Sequence, residues 1–203
     1  MDRVYLNVKF AEKDEVKILG AKWDATKKRW YITTIQDKSK FEKWIEDEHI
    51  VNVKSHGFTI CKGYEACWKC KLPSPVAGIL LPKNHEMLDE DIPDAWNHYN
   101  YLSFVYYLYS INAAALKYIS HVAPNYKLTA SKTAQSSYYM NTCEHCGASL
   151  GDFHLYEVGG VFNPDSKDGV KAIQTQFINC EFYAASGGFV TSDLIDLYLP
   201  NRL

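Results

Sequence analysis

Two Cys-x-x-Cys pairs, Cys67-Trp68-Lys69-Cys70 and Cys143-Glu144-His145-Cys146, constrain this chain more than any other feature. Together they offer four thiolates, the number that a tetrahedral structural zinc takes, and each pair can bite a metal as a tight knuckle. Gly147, directly after the second pair, is the small residue that lets the backbone turn under the sulfurs. The intervening segment, Lys71 to Thr142, is far longer than the loop of a compact zinc finger. One shared ion would therefore pin two distant parts of a domain together, with the segment between folded onto that clasp. Two ordinary buried thiol pairs, or a disulfide framework, are the alternatives. The start, Met1-Asp2-Arg3-Val4-Tyr5, has no signal-peptide character and no apolar run is long enough to cross a membrane. A cytoplasmic location without a membrane partner is the expectation, and disulfides are rare there. Cys61 lies six residues before Cys67, the wrong spacing for a knuckle, so it and His56 are spare ligands at best, while His145 is expected to face solvent rather than add a fifth ligand and Cys180 to be a core thiol.

A chain of 203 residues fits one or two domains with a real core. Its 15 Tyr and an aromatic content of 14% indicate β-rich, half-buried surfaces. Tyr5-Leu6-Asn7-Val8-Lys9-Phe10 alternates like a strand. Ala11 to Gly20 carries acidic residues early, apolar Val16 and Leu19 three apart, and a glycine where a C-terminal cap belongs, so it predicts a short helix. Lys22-Trp23-Asp24 and Arg29-Trp30-Tyr31-Ile32 predict a hairpin with a polar, basic tip. Phe41, Trp44 and Ile45 mark a second helix ending in Glu46-Asp47-Glu48. Residues 1–50 thus predict a small β-α-β-β-α module, its tryptophans supplying core.

These residues resemble a small bacterial domain of unknown function that recurs at the ends of plasmid and phage DNA primases and in conjugation-associated proteins. The resemblance is carried by Tyr5-Leu6-Asn7-Val8, Phe10-Ala11-Glu12-Lys13-Asp14-Glu15, Leu19-Gly20-Ala21-Lys22-Trp23-Asp24 and Lys28-Arg29-Trp30-Tyr31. It implies an accessory module for ligands or nucleic acid in mobile-element DNA metabolism, and it transfers no catalytic residue. The Gly20-Ala21-x-Trp23-Asp24 and Lys28-x-Trp30 pattern is also similar to the accessory domain of annealing helicases. The local chemistry agrees, because Lys22, Lys27, Lys28 and Arg29 oppose only Asp24 beside Trp23, Trp30 and Tyr31. Cations next to aromatic faces suit phosphate contact and base stacking.

Residues 51–203 are expected to form a mostly β, zinc-ribbon-like domain, split by an insertion at 83–136, which makes the whole chain α+β. Val76 to Leu81 is a continuous apolar run between Pro75 and Pro82 and predicts a buried strand. Asn84 to Asn97 predicts a solvated acidic loop, and Tyr101 to Ile111 a strand or buried segment. Ser110 or Asn112 is expected to cap a helix with Ile111, Ala115, Tyr118 or Ile119, and Val122 on its apolar stripe. Tyr126 to Ser137 reads as a loop, where Lys127 and Lys132 make a second positive tract. Ile173 to Ala184 predicts a strand, Gly187-Gly188 a turn, and Ser192 or Asp193 the cap of a terminal helix. Tyr138 to Ala148 with Gly151-Asp152-Phe153, after an upstream Cys-Trp-Lys-Cys, resembles uncharacterised bacterial zinc-ribbon-like proteins over 58–162.

Four cysteines close the shell of a zinc ion, whereas a catalytic zinc keeps an open position. The His-x-Glu of zinc deaminases, a phosphate-binding glycine loop and a nucleophile elbow are missing from the sequence. Ser103, Asp152 and His154 form no constellation that spacing supports. The expectation is a non-catalytic binding protein with structural zinc, contacting DNA or RNA through Lys22, Lys27, Lys28, Arg29, Lys127 and Lys132. A net charge of −2 confines such contact to local patches and equally suits an adaptor or inhibitor that docks on a protein partner.

Overall fold

The computed structural model describes residues 3–33, 36, 38–41, 43, 44, 50–89, 91, 92, 94–134 and 136–199. It divides into two units, Met1–Ile50 and Val51–Leu203.

In the first unit, strand β1 (Arg3–Leu6) leads through a 3-10 turn at Phe10–Glu12 into helix α1 (Lys13–Ile18), followed by β2 (Lys22–Asp24) and β3 (Arg29–Thr33). The three strands are antiparallel in the order β1-β3-β2. Gly20 ends α1 at φ +99, and the pairs Gly20 N–H to Lys17 O and Ala21 N–H to Val16 O close the helix end, as the sequence pattern requires. The first strand stops at Leu6, so Val8 to Phe10 leave the sheet. A 3-10 turn at Lys38–Phe41 and the buried Trp44 stand where the second helix was expected, and from Ile45 on that helix lies outside the described residues. Leu6, Val16, Ala21, Ile32, Phe41 and Trp44 make the core. Trp44 donates its indole N–H to Glu12 at 3.0 Å. Of the tryptophans expected to supply much of this core, Trp44 lies within it and Trp30 packs against it partly buried, whereas Trp23 is 51% exposed.

The second unit begins with β4 (Val53–Ser55), β5 (Phe58–Ala66) and β6 (Pro73–Leu81), then β7 (His85–Leu88) and β8 (Trp96–Tyr99). Next come β9 (Ser103–Ile111), α2 (Ala113–Val122), β10 (Tyr126–Ser131), β11 (Ser136–Asn141) and α3 (Phe153–Tyr156). The chain finishes with α4 (Lys167–Ala172), β12 (Gln174–Ile178), β13 (Phe182–Val190) and α5 (Asp193–Tyr198). One antiparallel sheet runs in the order β12-β5-β6-β9-β13-β4-β7-β8, and the β10–β11 hairpin branches from β9. Segment 83–136 is therefore no insertion. Its strand β9 pairs with β6 on one side and β13 on the other, because Tyr101 to Ile111 is apolar enough to occupy the middle of a covered sheet. The acidic 84–97 stretch forms the β7–β8 hairpin, whose connection Asp89 organises by accepting from Asp91 N–H, Ile92 N–H and Asn97 Nδ2. Tyr126 to Ser131, expected as loop, pairs with β11, and Gly187-Gly188 lies within β13 rather than in a turn.

Alternation along β6 shows why the run Val76 to Leu81 is apolar throughout. Ala77, Ile79 and Leu81 join a cluster with Val105, Ala115 and Ile119 under α2. Val76 and Leu80 join another with Phe104, Tyr156, Phe162, Val170 and Ile195, under α3 to α5. Both faces of the sheet are covered, so both faces of its central strands are mainly apolar. Asn112 occupies the N-cap of α2, yet its side chain pairs with β13, accepting from Tyr183 N–H and donating to Glu181 O.

Gly78 is closely packed on the face under α3 to α5, for a Cβ there would stand 2.9 Å from Phe162 Cδ2 and 2.9 Å from Tyr156 Oη. Gly78→Ala is expected to cost about 1–3 kcal/mol through overpacking, measured as a lowered urea midpoint.

Candidate functional site

The β5–β6 hairpin ends in the turn that carries Cys67 and Cys70, and β11 runs out into the turn that carries Cys143 and Cys146. The two turns repeat one geometry. Lys71 N–H bonds Cys67 O and Gly147 N–H bonds Cys143 O, while Cys67 N–H bonds Leu72 O and Cys143 N–H bonds Ala148 O. The residue after each second cysteine is left-handed, Gly147 at φ 68 and Lys71 at φ 64. Glycine was anticipated for that conformation, and the first turn imposes it on a lysine.

The four Sγ atoms lie within 4.8 Å of one another, with Cys67 to Cys146 at 3.7 Å and Cys70 to Cys143 at 3.6 Å. A disulfide would need about 2.05 Å, and all six cysteines are free. A tetrahedron of metal–sulfur bonds of about 2.3 Å has edges of about 3.8 Å, so the cluster can hold a metal ion. Backbone N–H groups face the sulfurs. Those of Cys70 and Lys69 lower the Cys67 thiol pKa. At Cys143 burial opposes ionisation, but the N–H groups of Cys146 and His145 outweigh it and draw the thiol down to about 6. Cys70 accepts from Leu72 N–H, yet burial and the neighbouring thiols push it up to about 12, as expected where four sulfurs crowd together.

Hydrogen bonds lace the two turns. Trp68 Nε1 donates to Ser149 O at 2.8 Å, Glu144 N–H to Ser74 Oγ at 3.0 Å, and His145 Nε2 lies 3.0 Å from Pro73 O. Asn141 acts as a missing strand residue, accepting from Ala77 N–H at 2.7 Å and donating to Ala77 O at 2.8 Å. Among the described residues, no other Cys, His, Asp or Glu joins the cluster. Cys61 is packed in the core, where burial raises its pKa, and Cys180 packs beside the other cluster. His56 pairs with Glu181 at 2.8 Å.

In the first unit the basic hairpin borders an open groove of about 470 Å³, lined by Leu6 to Phe10, Lys13, Trp23, Lys28, Arg29 and Trp30. Four of these residues are cationic and none is acidic. Trp23 meets Trp30 edge to face across β2 and β3, with ring centroids 5.6 Å apart. Phe10 is exposed, with Lys13 Nζ 4.1 Å from its ring centre. Asp24, the hairpin's one acid, is engaged elsewhere. It accepts from Thr26 N–H, Lys27 N–H, Tyr5 Oη and Arg3, and the Lys27 N–H and Tyr5 hydroxyl bonds hold its pKa below the usual carboxylate range. Of the expected hairpin cations, Lys28 and Arg29 line the groove. Lys22 does not, and Lys27 sits over the Tyr5 ring at 4.8 Å. Lys9, Phe10 and Lys13 were missed as groove residues because Lys9 and Phe10 were read as continuing the strand. In the second unit Lys127 stands exposed on β10, and Lys132 borders a separate cavity beside the cysteine cluster.

That cavity has Asp152 among its lining residues. Asp152 is 1% exposed, its Oδ2 accepts from Tyr107 N–H at 2.8 Å, and its Oδ1 has no partner. Burial raises its pKa to about 7 against that single bond.

Residues 3–46 match a family described as a domain of unknown function (DUF5710). The same region is similar to two proteins called DNA primase TraC from Escherichia coli. One is 50% identical over 46 residues, covering 23% of this chain and 4% of the primase. The other is 44% identical over 45 residues, covering 22% of this chain and 3% of the primase. No solved structure matches the chain. The match extends over all the residues that line the basic groove. Among the described residues no helix is long and apolar enough to cross a membrane.

A buried carboxyl with a raised pKa favours its protonated form in the folded state. Its contribution to stability is full below the ordinary carboxyl pKa and is lost as pH rises through about 7. Asp152→Asn should therefore gain stability relative to the parent between pH 5.5 and pH 8, by on the order of a few kcal/mol. Urea denaturation of both proteins across that range checks it.

Proposed function

We propose that this protein is a non-catalytic, zinc-clasped nucleic-acid-binding protein that serves the DNA metabolism of a mobile element. The observation that carries the reading is the groove of the first unit, whose lining holds Lys9, Lys13, Lys28 and Arg29 together with Trp23, Trp30 and Phe10 and includes no acidic residue. Cationic side chains there would neutralise backbone phosphates, and the exposed indole and phenyl faces would stack unpaired bases. Single-stranded DNA is the favoured form, since a duplex hides the base faces these rings would use. The likeness of residues 3–46 to a segment of DNA primases that themselves act on DNA supports the same assignment.

Zinc fits the cysteine cluster best because thiolate-only tetrahedra suit this soft-tolerant ion. Four sulfurs would leave no position for water or substrate, so the ion would hold structure rather than perform chemistry. Cys146→Ser is expected to lose the bound metal and to unfold the second unit cooperatively, because metal affinity and folding are coupled. Elemental analysis of protein purified without added metal should find one zinc per chain, and metal-free protein with unchanged melting would refute the clasp.

Binding to a fluorescent oligothymidylate, titrated from low to moderate salt, tests the groove. The parent should bind with an affinity that falls steeply with salt. Lys28→Glu should weaken binding and lower the slope of log K against log salt by about 0.7 or more. Trp23→Ala should weaken binding about tenfold with the slope unchanged. Absence of binding at low salt, or indifference to both substitutions, would overturn the reading.

A further inference from the structure

The cavity beside the cysteine cluster is large, about 710 Å³, and combines features that the fold alone does not call for. Its walls carry flat rings. Trp68 and Phe153 are exposed in spite of their size, and Tyr107 and Tyr138 meet edge to face at 4.9 Å. Asp152, nearly devoid of exposure, leaves one carboxylate oxygen without a donor, an arrangement that costs stability unless something completes it. Tyr107 is held at φ 49, a left-handed conformation disfavoured for a bulky residue. That twist turns its N–H toward Asp152 rather than along the sheet, and the pairing of β9 with β13 shifts register nearby, at Ala185/Ser186. Local strain, an orphaned acceptor and an open aromatic cavity coincide at one place, which is how binding sites differ from packing faults.

The arrangement of charge narrows the occupant. Lys132 lines the cavity together with the hydroxyl residues Ser131 and Thr133, a setting for an anion. The carboxylate of Asp152 is an acceptor only. A ligand that suits both is flat, anionic at one end and rich in N–H donors at the other. A cationic peptide side chain would satisfy the carboxylate but would share the cavity with the like charge of Lys132.

We propose that this cavity takes one unpaired nucleobase, a guanine in preference to a thymine, with its donor edge on Asp152 Oδ1, its rings against Trp68 and Phe153, and its phosphate near Lys132. Guanine presents N1–H and N2–H side by side, whereas thymine flanks its single N3–H with two carbonyl oxygens that face the carboxylate and repel it. This deepens the nucleic-acid reading and rests on it, adding a base-selective site in the second unit to the phosphate-directed groove of the first.

The test is calorimetric titration of the full zinc-loaded chain at pH 8 with deoxyguanosine 5′-monophosphate and, separately, thymidine 5′-monophosphate. The guanine nucleotide is expected to bind about tenfold or more tightly than the thymine nucleotide, the size of a hydrogen bond to a charged group. Asp152→Asn should erase that preference, since its amide can donate to a thymine carbonyl. Phe153→Ala, a change at an exposed ring with no part in the core, should weaken both nucleotides and guards against a folding artefact at position 152. Lys28→Glu should leave both titrations unchanged. Equal affinity for the two nucleotides, or a preference that survives Asp152→Asn in folded protein, overturns the proposal. An arginine-containing peptide that binds through Asp152 in place of the nucleotides would also overturn it, in favour of a protein partner. The failure of the groove reading is seen separately, as loss of oligothymidylate binding by the parent.

Discussion

Four sulfur atoms drawn within 4.8 Å of each other are the constraint on which the second unit depends. They tie the far end of the β5–β6 hairpin to the end of β11, strands whose backbone ladders meet through β9 and which Asn141 joins directly at Ala77. Without that tie, two turns with left-handed residues at positions 71 and 147 would have to keep their shape through a few backbone hydrogen bonds. Four unbridged thiolates would also repel one another, so a cation at their centre would hold both turns together. The bonds from Trp68, Glu144, His145 and Asn141 across the junction then act on turns already held in register.

The anchor also explains where binding features can sit. Trp68 lies inside the first cysteine turn and Ser149 just beyond the second, so the wall of the aromatic cavity is built from the same turns that hold the sulfurs. Asp152 and the strained Tyr107 carry a cost that the surrounding structure must over-determine if they are to persist. The first unit follows a different logic. Its core is small, and Trp44 and Phe41 fill it, which leaves Trp23, Trp30 and Phe10 around a basic groove.

Much of the local structure was legible from residues alone. Helix α1 and its glycine cap, the basic hairpin, the doubly buried β6, the strand β9 and the helix α2 all follow from periodicity and end signals that act over a few residues. The legible features have short-range causes. Strand β10 was missed because Tyr126 to Ser131 carries Ser, Thr and Lys, and its pairing with β11 decides its conformation. Gly187 and Gly188 look like a turn in sequence, yet within β13 they make room for Tyr106, Tyr107 and Tyr109, whose ring and Cβ atoms a side chain would strike.

What the sequence determined by itself is chemistry of fixed spacing: two Cys-x-x-Cys turns of the right bite, and a cluster of cations beside tryptophans. Only the tertiary structure decided that segment 83–136 is the middle of the sheet, since strand order depends on long-range pairing between β6, β9 and β13. Only it brought Lys9, Phe10 and Lys13 to the same groove as Lys28 and Arg29, by ending β1 at Leu6. Asp152 and Tyr107 stand 45 positions apart in the chain, and nothing in either neighbourhood announces the other. Their meeting is a property of the folded sheet, where burial and one N–H bond leave the second oxygen of Asp152 without a partner and raise its pKa.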